Sequence, residues 1–155
     1  MTGNNQSAVS NLRFLFGTAH QYLEGTMVGL TDDQLNWVPG DRLAPIAAQY
    51  AHIVTSEDWL VNIKAKNGAP VMATTDTGLS SPPPPVLWNE WARTSTINLP
   101  TMQSYAQAVY QATDAYLASI TDDELNRIVD MSEVGMGQLP IAAVMLPKAE
   151  SADQC

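Results

Sequence analysis

Two stretches of this chain repeat one another, and the repeat limits what the chain can fold into. Leu30-Thr31-Asp32-Asp33-Gln34-Leu35-Asn36-Trp37-Val38 is echoed by Ile120-Thr121-Asp122-Asp123-Glu124-Leu125-Asn126-Arg127-Ile128. Each leads on to a Pro-Ile-Ala-Ala tetrad, Pro45–Ala48 and Pro140–Ala143. The nonamers are offset by 90 residues (30 to 120) and the tetrads by 95 (45 to 140), so the second linker is five residues longer. In both copies a Thr precedes Gln or Glu by three residues, the form of a capping box. The paired acids between them suit the positive end of a helix dipole. Two well-made caps can converge on such a pattern; the alternative is two related helix pairs packed with approximate two-fold symmetry. Either way the order is long helix, short capped element, long helix, twice, which builds an antiparallel bundle.

Apolar periodicity supplies the long helices. Leu12, Leu15, Phe16, Ala19, Leu23, Met27 and Leu30 keep to one helical face across residues 8–30. Pro45 suits the first turn of a second helix. That helix runs to about Lys66 with a stripe of Ile46, Tyr50, Ile53, Leu60 and Ile63, and it stops at Asn67-Gly68. Residues 67–85, with Gly68, Pro70, Gly78 and the run Pro82–Pro85, read as an irregular connection within one domain spanning residues 1–155. Trp88 and Trp91 fall on a short helix over residues 86–94. Pro100 opens a third long helix to about Ile120, with Tyr105, Ala108 or Val109, Ala112, Tyr116 and Ile120 on its inner face. In the second tetrad Pro147 stands where the first copy has His52, and residues 147–155 are polar or small. An interior proline removes a helix hydrogen bond and costs about 3 kcal/mol. The fourth helix is therefore expected to be short or kinked, with the tail a divergent or truncated one.

Charge narrows the function. Seven basic residues face sixteen acidic ones, a net charge of −9, and the basic ones are scattered. Nucleic-acid backbones and anionic membrane surfaces both demand clustered positive charge, so neither is an expected partner. No stretch approaches the roughly 18 apolar residues of a membrane span. The N-terminus has no basic, apolar signal pattern. Cys155 is the single cysteine, which leaves no internal disulfide and makes the cytoplasm the expected location.

The order of these residues resembles the DinB-like four-helix bundle superfamily. The resemblance rests on Leu30-Thr-Asp-Asp-Gln-Leu-Asn-Trp-Val-Pro39, on Ala51-His52-Ile53 with Glu57, on Pro82–Pro85 before Trp88, and on Ile120-Thr-Asp-Asp-Glu-Leu-Asn-Arg127. It covers roughly residues 10–146. It implies an all-α, up-down-down-up bundle that is often a homodimer. It also implies relatedness to metal-dependent thiol transferases and hydrolases, whose divalent metal (nickel or zinc) is held by three histidines. The ligand from the second helix would be His52. The other two come from the fourth helix, where this sequence has none, so the metal site is expected to be incomplete. A non-catalytic helical binding or dimerisation module is the alternative, and whether the chain is an enzyme stays open.

The remaining candidates divide between site and scaffold. His52, on the residues alone, is as well explained as a part-buried histidine bonded to a neighbour. One imidazole does not hold a divalent metal tightly, since catalytic zinc sites use three protein ligands. His20 lies beside the first stripe, where it either reaches the crevice or sits at the core edge. Glu57 follows His52 by five residues, about 140° around the helix. It is either a proton acceptor in the crevice or a capping or surface carboxylate. Glu24, Asp58 and Asp114 are weaker candidates. Trp37, Trp59, Trp88 and Trp91 either line a small-molecule pocket or, as the commoner use of such rings, fill the core. No nucleophile elbow, phosphate loop or Cys-x-x-Cys occurs.

Overall fold

The computed structural model describes residues 7–38, 40–41, 43–84 and 88–145. Its elements are α1 (Ala8–Met27), α2 (Asp32–Asn36), α3 (Ile46–Asp58), α4 (Asn89–Thr94), α5 (Leu99–Ser119), a two-stranded hairpin of β1 (Ile128–Asp130) and β2 (Gln138–Pro140), and α6 (Ile141–Met145). The all-α expectation holds, with the hairpin as a small addition. Pro147 and the rest of the tail, including Cys155, lie outside the described residues.

Local chemistry sets most boundaries. Ser7 caps α1 by accepting from the Ser10 amide. Thr31 and Gln34 close the anticipated capping box on α2: the Gln34 amide donates to Thr31 Oγ1, and the Thr31 amide donates to Gln34 Oε1. Pro45 stands at the N-cap of α3, one residue earlier than expected. Beyond Asp58 the helix loosens into a π-helical stretch, Trp59–Ala65, closed by a bond from the Lys66 amide to the Val61 carbonyl. Asn67, with φ 56°, then ends it where the Asn-Gly pair indicated.

The two echoed segments diverge in three dimensions. Thr121 makes no capping bond, and Asp122–Asn126 forms a 3-10 turn rather than a second capped α-helix. Its Asp122 is engaged elsewhere: both carboxylate oxygens accept from the first amides of α1, Ala8 and Val9, at 3.0 Å. Those bonds hold the Asp122 carboxyl below its ordinary value. The longer second linker holds the antiparallel hairpin, with Val129 opposite Leu139. Strands of three residues are too short to leave an alternating pattern, so no periodicity announced them. Both tetrads do open helices, α3 and α6.

Packing places α5 in the middle. Both α1 and α3 lie against it, and α6 lies against the π-helical end of α3. Ile141, Val144 and Met145 of α6 join Val9, Leu12, Val61, Ala65 and Leu117 in one core cluster. The described part of α6 thus fills one end of the fourth position of the bundle, the position flanked by α1 and α3. Two stripe assignments change there. Leu15 and Ala19 of α1, and Ile46 and Ile53 of α3, were placed on the inner face but are exposed. The buried face of α3 is Ala47, Ala48, Tyr50, Ala51, Val54, Thr55 and Asp58. Packed with this face inward against α5, the helix turns its larger isoleucines, Ile46 and Ile53, outward.

Candidate functional site

His52 and Glu57 sit on opposite edges of α3. The His52 ring stacks on Trp88, with centroids 4.3 Å apart and planes 10° from parallel, so it faces the connection that leads into α4. Glu57 faces α1. Among the described residues no three His, Cys, Asp or Glu side chains come together in a geometry that would hold a metal ion. The donor set therefore does not fit the three-histidine centre that the sequence resemblance implied.

On the other edge of α3 the structure assembles a polar cluster. His20 Nε2 lies 2.8 and 2.9 Å from the two oxygens of Glu57. Thr113 of α5 donates its hydroxyl to Glu57 Oε1 at 2.6 Å. A carboxylate only accepts, so His20 Nε2 carries the proton in this pairing. The imidazole stacks on Tyr110 of α5 at 3.7 Å, which fixes its plane. The His20 and Glu57 side chains keep only 14% and 11% of their surface exposed. Their bond ties α1 to α3 beneath a half-open face.

One turn along α1, Glu24 extends the cluster. Its Oε1 accepts from both Tyr50 of α3, at 2.6 Å, and Tyr110 of α5, at 2.9 Å. Burial, followed by the Glu24 carboxylate for Tyr50 and by Tyr50 and then Glu24 for Tyr110, pushes both phenols well above the ordinary tyrosine value. One residue past Glu57, Asp58 forms a separate and fully buried hub. It accepts from Asn62, from Tyr105 at 2.6 Å, and from the Val71 and Met72 amides. Asp58 thereby pins the connection after α3 to the core and is structural. Asp114 is exposed and pairs with Arg13.

Two clefts lie away from this cluster: one of about 310 Å3 between α2 and the start of α5, and one of about 370 Å3 beside the start of α1. Neither contains His20, His52 or Glu57. Of the tryptophans, Trp91 is buried and donates to the Ser81 carbonyl, whereas Trp37 is 67% exposed and fills no core.

The sequence named His20, Glu24, Glu57 and Asp58 without their partners. His20 and Glu24 are four apart on α1, hence on one face, and this spacing was the available signal. Tyr50, Tyr110 and Thr113 went unmarked because each also fits the apolar or small pattern of a core helix. Their polar atoms take on meaning only when three helices meet.

Comparison with known proteins agrees with this architecture. Nothing among the curated proteins matches the chain. A solved structure described as the conserved protein of locus from Enterococcus faecalis superposes with a TM-score of 0.73 at 16% identity, covering 90% of this chain and 85% of that one. At that identity the likeness speaks for the fold alone. The sequence pattern of the DinB superfamily matches residues 15–146. The chain belongs to the DinB superfamily.

Proposed function

We propose that this DinB-superfamily domain works as a helical binding module, and that the metal-dependent thiol transfer or hydrolysis of its relatives is not its activity. One observation carries the reading: among the described residues, large apolar side chains stand exposed on both α1 and α3. Leu15 and Tyr22 on α1 are 55% and 75% exposed, and Ile46 and Ile53 on α3 are 41% and 48% exposed. Apolar surface left uncovered on this scale marks association sites. The His52–Trp88 stack and the scattered ligand set support the same reading, because a tight divalent site uses three convergent ligands.

Metal analysis of untagged protein, with nickel and zinc titrations, tests this directly. Stoichiometric uptake at micromolar affinity, abolished by His52→Ala, would overturn it. Light scattering at micromolar concentration addresses self-association through a second apolar patch, Trp37, Val38 and Leu43, each at least 40% exposed. A homodimer is the expected result there, and a clean monomer would remove that patch from the proposal.

A further inference from the structure

We propose that Asn67 is a site of self-modification by deamidation. The folded chain holds it unreactive through the bond from the Gly68 amide to Asn62, and its product frees the connection after α3.

Asn67-Gly68 is the chain's single Asn-Gly pair, and both residues are exposed. A glycine after asparagine leaves the backbone nitrogen open to the asparagine side chain, since no Cβ stands in the way. Every other asparagine of the chain precedes a residue with a side chain. The helix stop does not require that glycine. Its left-handed residue is Asn67 itself, at φ 56°. Gly68 has no positive φ, and a Cβ there would meet the Asn62 carbonyl oxygen at 3.5 Å, an ordinary contact. The pair therefore carries a chemical liability that the local geometry does not demand.

In the reaction the Gly68 nitrogen gives its proton to solvent and attacks Asn67 Cγ. The new N–Cγ bond closes a succinimide ring, and the Cγ–Nδ2 bond breaks as Nδ2 departs as ammonia. Water, the only co-reactant, then opens the ring. Cleavage at Cγ returns an aspartate on the original backbone. Cleavage at the α-carbonyl leaves an isoaspartate, whose main chain runs through Cγ and is one methylene longer.

The fold withholds the attacking atom. The Gly68 amide donates to the Asn62 carbonyl at 2.8 Å, beside the bond from Lys66 to Val61 that closes the π-helical stretch. Attack requires that bond to break and the nitrogen to swing toward its neighbour's side chain. Asn62 is itself fixed: it is buried, and its Nδ2 donates to Asp58 Oδ1 at 2.9 Å. Asp58 also holds the Val71 and Met72 amides, beyond the pair. Residues 62–72 thus form a loop clamped at both ends on one buried carboxylate, with the reactive pair at its exposed turn. Reaction follows the population of locally opened chain. The product acts back on the clamp. An isoaspartate lengthens the path from Asn62 to Gly68, so the closing bond is lost. Either product also adds a carboxylate at the C-terminal end of a helix, where negative charge is unfavourable.

The test uses the full chain, aged in warm, mildly alkaline buffer and followed by peptide-mapping mass spectrometry. Deamidation at Asn67 is expected to run at least tenfold faster in guanidinium-unfolded chain than in native chain. Equal rates in the two states, or no product at Asn67 in the unfolded chain, overturn the inference. Gly68→Ala is expected to suppress the reaction in guanidinium, where folding plays no part. An undiminished rate would place the chemistry outside the succinimide route and overturn it. The aged species, separated by its added negative charge, is expected to exchange the Val71 and Met72 amide hydrogens at least threefold faster than the parent chain. Unchanged protection overturns the release of the connection.

Discussion

His20 Nε2 sits 2.8 Å from Glu57 Oε2, joining the first and third helices across a position where a four-helix bundle has its fourth. Thr113 completes the carboxylate's bonding from α5. Removing the carboxylate strands both donors. Hydrogen bonds to charged groups contribute about 1.5–3 kcal/mol each, discounted here because the pair retains some exposure. Glu57→Ala is expected to lower stability by about 2 kcal/mol, read as a fall in urea midpoint at constant m-value. A change below about 0.5 kcal/mol would show that the cluster is incidental to the fold.

Asp58 is a more demanding case, since it is fully buried and satisfies four donors. Asp58→Ala leaves the Tyr105 hydroxyl, the Asn62 amide and two backbone amides without their acceptor. With about 1–3 kcal/mol for each buried group left unsatisfied, the loss should exceed about 3 kcal/mol. Hydrogen exchange should show the amides of Val71 and Met72 losing protection first in the milder variant Asp58→Asn.

Alkaline pH should destabilise the protein through its tyrosines. Burial, helped by the carboxylates of Glu24 and Asp58, raises the folded values of Tyr50, Tyr105 and Tyr110. An acid whose folded value is raised holds its proton longer in the folded state than in the unfolded one. The stability it contributes is fully present below the unfolded tyrosine value of about 10 and declines as pH rises above it. Tyrosinate absorbance from the buried phenols, beyond the contribution of exposed Tyr22, should therefore appear together with loss of helical circular dichroism. Three phenols ionising in a still-helical protein would contradict the buried network.

Gly78 has φ +71°, and a Cβ there would fall 2.6 Å from the Asn98 carbonyl oxygen. The Asn98 amide in turn donates to the Gly78 carbonyl at 2.8 Å, docking the connection onto the start of α5. Gly78→Ala meets both backbone strain and a backbone clash, so a loss of more than about 1 kcal/mol is expected in thermal unfolding. Gly17, whose added Cβ meets nothing, is the matched control and should gain helix stability as alanine.

The rotated face of α3 yields a contrast between two apolar residues. Ile53 is half exposed, whereas Met102 of α5 is fully buried. Ile53→Ala should change stability by no more than about 0.5 kcal/mol, and Met102→Ala should cost about 2–5 kcal/mol. Equal costs would mean that the face between α1 and α3 is already filled.

Sequence alone determined the helices and their stops. Caps, prolines and the Asn67-Gly68 pair act through bonds within a few residues, so Thr31 with Gln34 and the φ 56° of Asn67 were legible before folding. The family resemblance was legible for the same reason, carried by short local motifs. Tertiary structure alone decided which face each helix turns inward and which polar groups meet. Ile53 and Val54 are neighbours of similar hydrophobicity, and only the packing of α3 on α5 chose Val54 for the core. His20 and Glu57 are 37 residues apart, Glu24 and Tyr110 are 86 apart, and nothing local encodes either pairing. Asp122 read as a first-turn acid of the element that follows Thr121, but its carboxylate caps α1 from 113 residues away, because folding brought unpaired amides within 3.0 Å.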